Sequence, residues 1–252
     1  MLRSVYSAAS GLKSQQARLD NIGNNLSNIN TTGFKATRVD FKDALYSAMD
    51  APLGGAEEQN LLAGNGVLLG AVSTDFKSGS LQTTGAALDF AILGRGFFNV
   101  ETPAGETLYT RSGSFGLSVE ETGNYLVTPQ GYYVLDNGGG RISLPRNAEG
   151  LRVSSEGVLS TGDGTGATLG ISDFTNPGGL LYAGDTCFRS SEVSGQPFAA
   201  DGAKVEQGSL EGSNVDLAQE MALLLRSQRA YSLASRALTT ADQMEGLANN
   251  LR

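Results

Sequence analysis

The carboxylates have the clearest capacity for chemistry in this chain. Two adjacent pairs occur, Glu57-Glu58 and Glu120-Glu121, and two carboxyl groups flanking a sugar bond can hydrolyse it without any histidine. Both pairs sit in hydrophilic, turn-like stretches, which reads as solvated surface. The single cysteine, Cys187, lies between Thr186 and Phe188 and reads as a small buried or strand residue. Histidine is absent, which excludes imidazole bases and His-containing zinc sites. One cysteine excludes an intrachain disulfide and any cysteine-cluster metal site. Gly64-Asn65-Gly66-Val67-Leu68-Leu69-Gly70 comes near a dinucleotide fingerprint, but its last interval is one residue too long and no helix obviously follows. Walker-type Gly-Lys pairs, Gly-x-Ser-x-Gly elbows and EF-hand runs are missing. The expectation is therefore no catalytic centre, no metal, no cofactor and no small-molecule substrate. A net charge of −8 suits a phosphate backbone poorly, so no nucleic-acid partner is expected. There is no basic leader with an apolar stretch and no run near ~18 apolar residues, so neither a cleaved signal peptide nor membrane insertion is expected.

With no reaction to position, the elements themselves become informative. Of 34 glycines, residues 1–35 hold only Gly11, Gly23 and Gly33, and residues 215–252 only Gly246; all six prolines lie between 36 and 214. Charge divides likewise. The first segment is net +3, the last is neutral, and the middle carries −11. Helical ends around a turn-rich centre follow from this partition. Val5, Leu12, Leu19 and Leu26 recur every seven residues, with Ile22 and Ile29 three after the last two. Leu217, Leu224, Tyr231 and Leu238 repeat the spacing, with Met221 beside them. Both rows read as seams of a coiled coil. Ser213 with Asp216, and Asp216 with Gln219, have capping-box spacing, so the second helix should begin within 213–217. Between the ends, short apolar runs such as Leu88–Leu93, Gly96–Glu101, Thr107–Thr110, Asn124–Thr128 and Tyr132–Leu135 alternate with Gly, Pro and Asn. That cadence predicts antiparallel strands in a meander or barrel. The fold class expected is α+β: terminal helices forming an antiparallel coiled-coil-like domain, with a central all-β, barrel-like domain. The expected divisions are 1–46 helical, 47–69 an extended connector, 70–208 the β domain and 209–252 the returning helix.

Three blocks carry a family resemblance. Asn24-Asn25-Leu26-Ser27-Asn28-Ile29-Asn30-Thr31-Thr32-Gly33-Phe34-Lys35 resembles the N-terminal signature of bacterial flagellar rod and hook proteins. Leu210-Glu211-Gly212-Ser213-Asn214-Val215-Asp216-Leu217, Gln228-Arg229-Ala230-Tyr231 and Thr239-Thr240-Ala241-Asp242-Gln243-Met244 resemble their closing segment. Leu88-Asp89-Phe90-Ala91-Ile92, Gly94-Arg95-Gly96-Phe97-Phe98 and Tyr109-Thr110-Arg111-Ser112-Gly113-Ser114-Phe115 are similar to the start of the family's β domain. Within the family, a long connector marks the distal rod members, while hook proteins carry a further outer domain for which 252 residues leave no room. The resemblance implies a non-enzymatic axial subunit of the basal body, placed outside the cytoplasmic membrane. It implies export through the flagellar type III apparatus and polymerisation with copies of itself and with neighbouring rod and hook proteins. The residues it points to for assembly are Val5, Leu12, Leu19, Asn24, Asn25, Leu26, Asn28, Asn30, Gly33 and Phe34 at one end. At the other they are Ser213, Asn214, Leu217, Met221, Leu224, Gln228, Arg229, Tyr231 and Leu238. The asparagines offer amide groups to helix ends or neighbours, and Gly33 suits a left-handed turn after the helix.

Overall fold

The structure, a computed structural model, describes residues 2–45, 47–48, 62–120, 123–145, 150–160, 166–200 and 202–250. The centre of the expected connector, 49–61, with the Glu57-Glu58 pair, and Glu121 of the second pair lie outside the described residues. The chain forms two compact units and changes unit at 27/28, 36/37, 74/75 and 215/216. The units thus group 28–36 and 209–215 with the strands, and the described residues of 37–74 with the helices.

The first unit is built on helix α1, Leu2–Ser27, and helix α2, Leu217–Asn250. Neither contains proline, and α2 has only Gly246 against it. Asp216 caps α2: its Oδ1 accepts the Ala218 and Gln219 amides at 2.9 and 3.2 Å, satisfying donors that a helix start leaves open. The helices pack on each other. The most enclosed residues of α1 are Ser14, Ile22 and Asn25, and that of α2 is Ser227. Ser14 tolerates burial because its hydroxyl donates to the Ser10 carbonyl at 2.6 Å within the same helix. A two-stranded antiparallel ribbon, Thr37–Asp43 with Val67–Thr74, packs on α1, and a shorter pair, Ser47–Ala48 with Leu62–Ala63, lies in the same unit. The longer ribbon's register slips between Asp40 and Phe41, leaving Gly70 as an extra residue. Phe41 lies under the Arg18 guanidinium, 4.7 Å from the ring centre.

The second unit is built of strands and turns with one short 3-10 helix, Pro177–Gly179, and among the described residues its pairings are antiparallel. Its largest sheet runs Ser143–Leu144, Gly123–Val127, Tyr133–Val134, Phe97–Glu101, Thr107–Thr110, Cys187–Arg189, Leu181–Gly184. Ile171–Asp173 and Gly116–Glu120 branch from this path. Phe90, Phe98, Val100, Leu126, Val134 and Ile142 form the main core. Phe97, Tyr109, Phe174, Leu180 and Phe188 form a second, aromatic one, with Tyr109 and Phe174 edge-on at 4.8 Å. The barrel expectation is corrected: among the described residues the end strands of this path do not meet and the sheet stays open. Its strands are only two to five residues long. Closure needs a consistent tilt and stagger carried around the whole sheet, and such short strands instead break into branches and separate two-stranded pairs. Turn cadence alone cannot distinguish the two outcomes.

Candidate assembly site

In the first unit the signature asparagine Asn25 is 1% exposed. Its Oδ1 accepts the Thr37 amide at 3.0 Å and its Nδ2 donates to the Thr37 carbonyl at 2.8 Å. The side chain thereby satisfies both backbone groups of an edge residue, as a neighbouring strand would. The same Nδ2 reaches Glu220 Oε1 at 3.0 Å, so the last turn of α1 meets the first turn of α2. Glu220 Oε2 is buried with no hydrogen-bond partner among the described residues. Asn21 adds a bond to Thr37 Oγ1 at 2.7 Å.

In the second unit the two signature segments meet around one carboxylate. Glu211 and Lys35 have side chains 1% and 0% exposed and pair at 2.6 Å. Arg111 Nη1 lies 3.2 Å from the other Glu211 oxygen. Lys35 also donates to the Lys77 carbonyl at 2.7 Å, and Gly79 N–H donates to Glu211 Oε1 at 2.8 Å. Arg111 donates to the Gly94 carbonyl at 2.7 Å and stands 5.4 Å from the Phe97 ring centre. Its Nε has no acceptor among the described residues. Burial pushes both Lys35 and Arg111 below their ordinary values, and Glu211 works against that fall in each. Two cations share one carboxylate, and the Lys77, Ile92 and Gly94 carbonyls accept from other donors of the pair, Arg111 Nε excepted. This is the arrangement that makes a buried pair tolerable and its disruption costly.

Backbone bonds tighten the same knot. The Gly33 amide donates to the Glu211 carbonyl at 2.8 Å, and Gly212 to Ser80 at 2.8 Å. Asn214 accepts the Ala36 amide at 2.7 Å and donates to the Asp75 and Lys77 carbonyls at 2.7 and 3.1 Å. Gly33 has φ +69°, and a Cβ there would overlap the Ser112 backbone; a side chain is excluded on both grounds. At Gly79 a Cβ would overlap the Gly212 carbonyl.

Among the residues singled out by sequence, Asn25 joins the two helices, while Gly33, Phe34 and Asn214 are placed in the second unit's knot or beside it. Asn28 pairs its Oδ1 with Thr31 Oγ1 at 3.1 Å, and Ser213 Oγ accepts the Val215 amide at 3.3 Å. Val5, Leu12, Leu19 and Leu26 are half-buried along α1, as are Leu224 and Leu238 on α2. Asn24, Asn30, Leu217, Met221, Gln228, Arg229 and Tyr231 are exposed. Lys35, Arg111, Glu211 and Glu220 were not singled out. The first three lie one in each of the three motif blocks, among other charges in two of those blocks.

Three family profiles match the chain in order. They are "Flagella basal body rod protein" over residues 5–35, "Flagellar hook protein FlgE/F/G D1 domain" over 91–161, and "Flagellar basal body rod FlgEFG protein C-terminal" over 206–251. The flagellar basal-body rod protein FlgG of Borreliella burgdorferi is 38% identical, covering 100% of this chain and 99% of the relative. FlgG of Bacillus subtilis is 40% identical over 97% of each. The B. subtilis flagellar hook-basal body complex protein FlhP is 32% identical over the full length of both. The two signature segments that interlock around Glu211 fall in or beside the first and last profiles, and the chain belongs to the flagellar basal-body rod protein family.

Proposed function

We propose that this chain is an axial subunit of the distal rod, exported through the flagellar type III apparatus and polymerised outside the cytoplasmic membrane. Its neighbours are copies of itself and adjoining rod and hook proteins, engaged chiefly through the terminal helices. The role is mechanical rather than catalytic. Full-length similarity to two FlgG rod proteins, at higher identity than to the hook-basal body complex protein FlhP, supports the rod position over a sister one.

One observation carries the reading. Having packed one face on α1, α2 still presents Leu217, Met221, Leu225, Leu233 and Leu247 to solvent, with Met221 and Leu225 51% and 55% exposed. A single unsupported helix face of this kind marks an interaction site. A heterologous contact from it, repeated from subunit to subunit without closure, generates a helical filament. The test is Met221→Asp with Leu225→Asp in flagellated cells lacking the native chain. The purified variant should melt within about 2 °C of wild type, because surface changes of this type move stability by roughly half a kcal/mol. Soft-agar swimming should be abolished. Swimming like wild type would refute the helix-mediated contact.

A further inference from the structure

The second unit's ion cluster joins three stretches far apart in the chain. Lys35 comes from the N-terminal signature, Arg111 from a loop of the β core, and Glu211 from the C-terminal signature. Only one of the three is an anion. Until Glu211 is in place, docking 28–36 would bury the Lys35 ammonium beside the Arg111 guanidinium with no carboxylate between them, and unpaired buried charge is strongly resisted. Backbone carbonyls at Lys77, Gly94 and Ile92 accept from the two cations, but they bring dipoles rather than countercharge. Other groups facing the cluster do not substitute for it: Asp75 and Asp173 act on Lys35 and Arg111 only through their charge at longer range, each being itself paired with another cation, Lys77 and Arg95.

We infer that Glu211 is a conditional clasp: the N-terminal segment 28–36 docks on the β unit only when the C-terminal segment 209–214 docks with it. The segment 209–214 is suited to this because it bonds both other strands of the knot. Glu211 reaches Lys35 through its carboxylate, Gly33 through its carbonyl and Gly79 through Oε1. Asn214 repeats the pattern three residues later, holding Ala36 on one side and Asp75 and Lys77 on the other. Ser209–Glu211 also pairs with Leu81–Thr83 as a two-stranded ladder. A segment late in the chain thus completes a site begun by one near its start. A subunit whose C-terminal segment has not arrived keeps its N-terminal signature undocked. This deepens the assembly reading, in which both signatures serve assembly, by naming what makes them available together. It is tested on the monomer, so its failure is separate from any failure of polymerisation.

The experiment is hydrogen exchange read by mass spectrometry on the full chain, wild type beside Glu211→Gln. Glutamine keeps the size and one acceptor and removes the charge. Peptides covering 28–36, 75–80 and 209–214 should all exchange about tenfold faster or more, as one cooperative unit. Those covering Phe97–Glu101 and Thr107–Thr110 should hold within about twofold. Faster exchange in 209–214 with 28–36 unchanged would overturn the coupling. Uniform acceleration through the core strands would also overturn it, because Glu211 would then be holding the whole unit. Pulse-labelled refolding of the wild type covers a variant that fails to fold. Residues 28–36 and 209–214 should gain protection in the same phase, and earlier protection of 28–36 would reject the clasp.

Discussion

Cys187 shows how much a single side chain owes to its surroundings. It is 2% exposed within the β core, and burial raises its thiol to about 11. A thiol held protonated in the folded state but ionising near its ordinary value when unfolded gives stability that is complete below pH 9. That share is lost as pH rises through about 11. Wild type should therefore lose melting temperature between pH 9 and 11 more steeply than Cys187→Ala, measured by thermal unfolding in parallel buffers. Equal slopes would contradict the assignment. The sequence reading of Cys187, between Thr186 and Phe188, was a small buried or strand residue, and it is both. The sequence did not place Glu211, Lys35 and Arg111 together. Pairing among residues 176 apart in sequence depends on which segments become neighbours, and one sequence records each charge without its partner.

At the scale of elements, the helices were legible because two properties agreed. Gly and Pro are depleted at both ends, and Asp216 with Gln219 has the spacing of a start signal, realised in the cap that Asp216 provides. The packed face of α2 was only half legible. Leu224 and Leu238 turn inward as the seven-residue row suggested, while Leu217 and Tyr231 of that row, and Met221 beside it, remain exposed. A heptad count cannot separate an intramolecular face from an intermolecular one when a helix has both. The two faces predict opposite outcomes for the same substitution. Leu224→Asp puts a charge on the half-buried face and should cost on the order of 2 kcal/mol, loosening α2 from α1 in the monomer. In circular dichroism the helical signal should then melt before the sheet signal. Coincident melting, with both signals lowered together, would show that the helices and the β unit share one cooperative core.

For the molecule as a whole, the division into a helical unit and a β unit explains why composition was informative and closure was not. The acidic, glycine-rich middle and the proline-free ends are bulk properties, and they report the class of each region. Whether a sheet closes depends on strand lengths and partners, which turn spacing leaves open. The family follows from three ordered profiles and full-length relatives, while the position in the rod and the self-contact through α2 remain matters of assembly. They are tested most directly by inserting a compact tag in the exposed turn at 137–139 and imaging isolated basal bodies by cryo-electron microscopy. Extra density repeated helically along the distal rod is the predicted result. Basal bodies whose rods lack that density, with the tag found in the hook, in a ring or in no part of the structure, would contradict the account.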